Sequence, residues 1–145
     1  MPPTVTPAVR ADLPAIFDLL DRSKLPRAGL EDHVESTLVA RAGKHILGTA
    51  ALEVYGNAAL LRSVAVADEV RGQGLGQVLT AAALDLARRR GVRMVYLLTE
   101  TAADFFPKLG FRPIARSAVE QAVLASREFS GACPASAVVM ARSLA

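Results

Sequence analysis

The chain has no tryptophan, a single cysteine and only two histidines. One cysteine rules out an internal disulfide, and three such residues scattered along the sequence give no metal-ligand spacing, so no metal is expected. Aromatic residues make up only 5%, which leaves Ala, Val and Leu to build the core. No apolar run approaches the roughly 18 residues that span a bilayer. The opening Met1-Pro2-Pro3-Thr4 lacks the basic and apolar regions of a signal peptide. A soluble, cytoplasmic protein with no membrane partner is therefore expected. No basic stripe is interleaved with aromatics, so nucleic acid is not an expected partner either. No repeat, low-complexity stretch or linker divides the 145 residues, and residues 1–145 read as one domain.

Hydrophobic residues make up 52% and charged residues 21%, a balance that argues for a folded domain over disorder. The net charge of +3 suits a polyanionic small molecule such as a nucleotide.

Val5 to Val9 reads as a short strand. Asp12 then stands where it can cap a helix carrying Leu13, Ile16, Phe17 and Leu20 on one face. Pro26 and Gly29 break the chain, and Leu30 to Ser36 forms a helical turn. Thr37 to Ala42, His45 to Tyr55 and Leu60 to Val66 read as an antiparallel meander, with turns at Gly43-Lys44 and Gly56-Asn57. Leu75, Val78, Leu79, Ala82, Ala83 and Leu86 recur at helical spacing, which predicts one buried stripe. Arg88-Arg89-Arg90 end that helix where positive charge complements the dipole, and Gly91 closes it. Val92 to Leu98 is a nearly continuous apolar strand, as in one buried on both faces. Strand, long helix, strand is a crossover, so the strands on either side of it run parallel. Thr101 to Leu109 is expected to be a short helix and Phe111 to Ala115 a strand. Ser117 and Glu120 have capping-box spacing ahead of an amphipathic stretch reaching Phe129, and Ser136 to Arg142 reads as the last strand. The expected fold is α+β: a mixed sheet of about six to seven strands, antiparallel with one central parallel pair, flanked by helices.

Between the third strand and the long helix lies Arg71-Gly72-Gln73-Gly74-Leu75-Gly76. A helix start offers unpaired N–H groups and the positive end of the dipole, and so attracts phosphate. Glycine lets the backbone approach phosphate oxygens closely, and Arg71 adds a permanent charge. The third position of a dinucleotide G-x-G-x-x-G falls at Gln77, and no Gly-Lys-Ser/Thr of a P-loop is present. By itself the turn is also what a plain tight turn at a helix start looks like.

Val64-Ala65-Val66 followed by Arg71 to Gly76 resembles the R-x-x-G-x-G signature of the GCN5-related N-acetyltransferases (GNAT). Phe105-Phe106-Pro107-Lys108-Leu109-Gly110-Phe111 resembles their second signature, Y-x-K-x-G-F, about 30 residues later. The resemblance implies acetyl-CoA as co-substrate, its pyrophosphate on the N–H groups of Gln73, Gly74, Leu75, Gly76 and Gln77, beside Arg71 and Gly72. The two parallel strands would splay, and the pantetheine arm would bond the free edge at Val64, Ala65 and Val66. The N–H of Val64 would face the thioester oxygen, with Thr101, Ala102, Phe105, Phe106 and Lys108 on the far side.

In the family an amine attacks the thioester directly, and many members protonate the departing thiolate with a tyrosine where this chain has Phe106. Ser63 and Tyr55 are the nearest alternative donors. Unassisted departure would cost only about 2 kcal/mol, because a thiol pKa near ~8.5 lies close to neutrality. Where many relatives carry an acidic residue, this chain has Arg62. That arginine is either paired with a neighbouring carboxylate or positioned to clamp an anionic acceptor. Glu53 is the first choice of base, working through water, and Glu100 the second. Substrate contacts are expected from Arg62, Tyr55 and Glu100. Cys133 reads as a small packed residue, with His33 and His45 far off in sequence.

Leu61 to Val66, Leu97 to Ala102, Phe105-Phe106 and Cys133-Pro134-Ala135-Ser136-Ala137 further resemble the small N-acetyltransferases encoded beside arsenic-resistance genes. That implies a small, anionic, amino-acid-like amine, such as an organoarsenical amino acid. Acetylation of protein N-termini and a non-catalytic acyl-CoA-binding sensor are the alternatives. The superfamily resemblance also implies a homodimer paired through its final strands.

Overall fold

The computed structural model describes residues 3–133 and 135–144. Readings that fall on Met1, Pro2 and Pro134 lie outside the described residues. The strands are β1 (Thr4–Pro7), β2 (Thr37–Ala42), β3 (His45–Tyr55), β4 (Ala58–Val66), β5 (Met94–Thr99), β6 (Arg112–Pro113) and β7 (Val138–Ser143). They form one seven-stranded sheet in the order β1-β2-β3-β4-β5-β7-β6. Only β4 and β5 run parallel, and the remaining pairs are antiparallel.

Helices cover both faces, which is why the central strands are apolar almost throughout. Helix α2 (Leu75–Arg89) packs Leu75, Leu79, Ala83 and Ala87 against Leu38, Ala50, Leu52, Ala59 and Leu61. Helix α1 (Leu13–Arg22) brings Ile16, Leu19 and Leu20 onto Val39, Ala51 and Ala65 on the other side. The short α3 (Gln121–Leu124) adds Val123 to Leu60, Tyr96 and Val139.

Several local readings are corrected. Val78 is 54% exposed, because the stripe of α2 is centred on Leu79. A Cβ on Gly48 of β3 would lie 2.6 Å from Leu79 Cδ1, so helix and strand meet there and Val78 is turned aside. Asp12 does not cap α1. Its carboxylate accepts the Val9 N–H at 2.8 Å and pairs with Arg41 of β2, whose guanidinium holds that carboxyl below the usual range. Thr101 to Leu109 is helical only over Phe106–Leu109, in a single 3-10 turn. Strand β6 keeps two of the five residues expected between Phe111 and Ala115. Glu120 starts α3 without a capping hydrogen bond, its carboxylate accepting the Tyr96 hydroxyl at 2.9 Å instead.

Candidate active site

β4 and β5 pair through only three positions, Ala58 with Met94, Ala59 with Val95 and Leu60 with Tyr96. β4 then continues to Val66 beside β3, and β5 to Thr99 beside β7, so their facing edges part. A strand edge without a neighbour presents unpaired N–H and C=O groups. The gap opens into a cavity of about 910 Å³ lined by both strands, the glycine turn and the 23–26 loop.

A bulge marks the middle of β4. Ala65 faces Thr49 and Arg62 faces Ala51, so Ser63 and Val64 together stand opposite Ala50. Ser63 takes φ +58°, a left-handed conformation that non-glycine residues rarely adopt. A bulge interrupts the ladder and bends the strand, which re-aims the residues beside a site.

The glycine turn is shaped as its sequence suggests. Gly72 and Gly74 have φ of +81° and +80°, and Gly74 is the N-cap of α2. The first helical bond runs from Val78 N–H to Gly74 C=O at 3.1 Å, which leaves the N–H groups before it without helical partners. Gly76 borders an open cradle: a Cβ there would stand 3.3 Å from Phe105 Cζ and 3.7 Å from Val66 Cγ2. Arg71 sits at the rim, paired with Asp68 at 3.2 Å and donating to the Val66 carbonyl.

Of the residues expected to hold the co-substrate, Val64, Ala65, Val66, Arg71, Gly72, Gly74, Leu75, Gly76, Gln77, Thr101, Ala102, Phe105 and Phe106 line the cavity. Gln73 and Lys108 are exposed and are not among its walls. Phe106 is buried, edge-on to Phe105 and Phe111 at 5.0 and 5.7 Å.

The acceptor side differs from the sequence reading. Arg62 has no free donor fork to offer an anion. Nη1 donates to Glu53 Oε2 and to the Ala28 carbonyl, both at 2.8 Å. Nη2 donates to the Pro26 carbonyl at 3.1 Å, and Nε to Ser63 Oγ at 3.1 Å. The expectation of a clamp is thus corrected to a wall residue that ties the 23–29 loop to β4.

Glu53 and Tyr55 do not reach the cavity. Tyr55 donates its hydroxyl to Glu53 Oε1, and His33 Nε2 lies 3.7 Å from the same oxygen. Burial raises the Glu53 pKa, but hydrogen bonds from Tyr55, Arg62 and Ser126 outweigh it and hold the carboxyl below its ordinary value. A carboxylate so stabilised is a poor base, and Glu53 is withdrawn from that role. Tyr55, its pKa raised by burial and by Glu53, is equally withdrawn as an acid and as a substrate contact. Glu100 is exposed at the cavity edge.

The buried carboxylate that does face the cavity is Glu128, which the sequence reading missed. It is 3% exposed and lies with Oε2 3.5 Å from Arg62 Nε. It begins a π-helical turn, Glu128–Ala132, closed by Ala132 N–H to Arg127 C=O and Cys133 N–H to Glu128 C=O. Burial and the nearby Glu53 push the Glu128 pKa up, Arg62 and Cys133 oppose, and the result is about 7. Cys133 also lines the cavity. Burial and the Glu128 charge push its thiol up to about 12, which keeps it protonated and not nucleophilic. A lone Glu between Arg127 and Phe129 carries no motif, and only the fold brings it to Arg62. Ser23, Lys24, Leu25 and Pro26 likewise reach the cavity without any sequence signal.

Among the described residues no helix is long and apolar enough to cross a membrane, and no group of three or more acidic, His or Cys residues could hold a metal.

Comparison with known proteins agrees with this geometry. Residues 33–113 match the acetyltransferase (GNAT) domain family model. A protein of Chlorobaculum tepidum named an uncharacterized N-acetyltransferase is 29% identical over 93 residues, 63% of this chain and 59% of that one. The chain thus spans about three-fifths of that relative. N-acetylglutamate synthase of Neisseria gonorrhoeae, solved with coenzyme A and N-acetyl-glutamate, superposes with a TM-score of 0.84 at 20% identity, over 99% of this chain and 35% of that one. Rv2747 of Mycobacterium tuberculosis, solved with CoA and NLQ, gives 0.82 at 26% identity over 99% and 100% of the two chains. A GNAT acetyltransferase of Staphylococcus aureus gives 0.80 at 17%, over 99% of each chain. The chain belongs to the GNAT acetyltransferase family, whose members use acetyl-CoA as co-substrate.

Proposed function

We propose that the protein is an N-acetyltransferase that passes the acetyl group of acetyl-CoA directly to the amine of a small, carboxylate-bearing, amino-acid-like molecule. The observation that carries this reading is the parting of β4 and β5 beyond Leu60 and Tyr96, with the glycine turn at one end of the gap and Glu128 at the other. An extended pantetheine arm is suited to the free edge at Val64 to Val66, and a pyrophosphate to the N–H groups at the start of α2. A side chain at Gly76 would crowd Phe105 and Val66, so glycine there keeps this part of the cavity clear. A Val64 N–H turned to the edge that β5 leaves would serve the thioester oxygen as charge develops on it. Phe105, Thr101 and Ala102 wall the other side, with Phe106 packed behind them.

An anionic acceptor is favoured by Lys24, which lines the cavity and, among the described residues, makes no ion pair. An organoarsenical amino acid is one member of that substrate class.

The test is to incubate the protein with acetyl-CoA and a panel of amines while following free thiol. The panel would hold α-amino acids, an organoarsenical amino acid, polyamines and peptides with free N-termini. Thiol release is expected with the amino acids first. Saturable acetyl-CoA binding without thiol release for any amine would identify a binding module and overturn the reading.

A further inference from the structure

We propose that Glu128 is the proton carrier of the transfer: its carboxylate takes the proton that the acceptor nitrogen sheds and returns it to the departing thiolate. This rests on the acetyltransferase reading above. A base must stand within reach of the acceptor and be free to accept. Glu53 fails on both counts, being outside the cavity and occupied by Tyr55 and Arg62. Tyr55 is spent on Glu53, and Phe106 has no proton to give.

Glu128 meets both requirements. It lines the cavity together with Ser63 and Val64 of the β4 bulge. Its ionic neighbour Arg62 Nε lies at 3.5 Å, the outer edge of hydrogen-bond range, the Arg62 fork is filled by Glu53 and the loop carbonyls, and the Cys133 thiol is its other polar partner. One guanidinium thus serves two buried carboxylates and binds Glu53 the more closely, and the thiol beside Glu128 is only a weak donor, which leaves that carboxylate able to exchange a proton.

The step balances without any other reactant. The neutral amine nitrogen attacks the thioester carbon and a C–N bond forms. Its surplus proton passes to Glu128. As the C–S bond breaks, the electron pair stays on sulfur, and Glu128 gives that sulfur the same proton. Amide and free coenzyme A thiol leave, and the carboxylate is restored. A carboxyl titrating near 7 suits both halves of this exchange. The groups that set its titration are Arg62 of β4, Glu53 of β3 and Cys133 beyond its own turn. Lys24 lies on the same cavity, and Glu100 acts on Cys133 from the end of β5.

The experiment compares wild type, Glu128→Gln and Glu128→Asp across pH 5.5 to 9 with the best amine of the panel, and measures acetyl-CoA binding to each by calorimetry. For wild type, kcat/KM should rise with pH through an apparent pKa near 7. Glu128→Gln should lower it about 100-fold or more and erase that inflection, with acetyl-CoA affinity kept. Glu128→Asp should recover part of the rate with the inflection present. An active wild type with Glu128→Gln equally active and its profile unchanged would overturn this proposal alone. A wild type that binds acetyl-CoA but turns over no amine would overturn the acetyltransferase reading with it. Should Glu128→Gln fail to bind acetyl-CoA, the wild-type profile and the Asp variant decide: a flat profile between pH 6 and 8 overturns the proposal.

Discussion

The two ends of the cavity are built on opposite principles. At the glycine turn the groups on offer are main-chain N–H donors, presented by consecutive residues whose conformation is local. At the other end they are side chains from β3, β4 and the π turn and carbonyls of the 23–29 loop, gathered around one buried arginine. The first needs little beyond glycine at the right places. The second exists only when the whole sheet has formed, and its protonation depends on every member.

The sharpest way to break the contrast is Arg62→Met. It strands Glu53 and unties Pro26 and Ala28, so a loss of about 3–5 kcal/mol is expected, read as a fall in urea midpoint. A loss below about 1 kcal/mol would show that the cluster does not hold the acceptor end together. Gly76→Val attacks the other end. Crowding Phe105 and displacing two charge-assisted bonds of about 1.5 kcal/mol each should weaken acetyl-CoA binding roughly 100-fold with little change in melting. Unaltered affinity in calorimetry would contradict the proposed seat of the pyrophosphate.

Glu128→Gln should make the fold more stable while it slows the reaction. The carboxyl titrates near 7 when folded against 4.5 ordinarily, so between those values the native chain holds the proton and the unfolded chain releases it. Stability is therefore fully present below about 4.5 and is lost as pH rises towards 7, by up to about 3 kcal/mol. Gln imitates the protonated form, so its advantage should be absent at pH 4.5 and reach about 1–3 kcal/mol at pH 8. Equal denaturation midpoints at pH 8 would refute the raised pKa. Lys24→Ala should raise KM for a carboxylate-bearing acceptor by the few-fold that about 1 kcal/mol gives, leaving that for a neutral amine unchanged. The smallest effect belongs to Phe106→Tyr: with the proton carried elsewhere, kcat should hardly move, and a large gain would restore the missing tyrosine to the mechanism.

What could be read beforehand follows the same division. The three-strand meander, the parallel pair and the glycine turn were legible because each depends on neighbours in sequence, whereas the insertion of β7 between β5 and β6 was not read. The end of β4 and the start of α2 needed only alternation, three glycines and helical spacing. The exposure of Val78 depended on where β3 carries Gly48, a contact between distant segments. Arg62 could be narrowed only to paired or free, since both outcomes have the same sequence. Glu128 had no periodicity, motif or partner nearby, and the π turn that aims it has no simple code. The helix expected from Thr101 shrank to one turn because Thr99 Oγ1 accepts the Ala102 N–H at 2.9 Å and bends the chain first.

Arg62 grips the 23–29 loop by the carbonyls of Pro26 and Ala28, not by any side chain. Main-chain carbonyls survive substitution, so the identities of Ser23, Lys24 and Leu25 can change while the tether and the buried charges beneath it stay as they are. If the acceptor binds beside those residues, as proposed, its selection is thereby separated from the ion cluster. Leu25 also packs on the core beneath α1, so libraries confined to Ser23 and Lys24 should change acceptor choice with the least risk to folding.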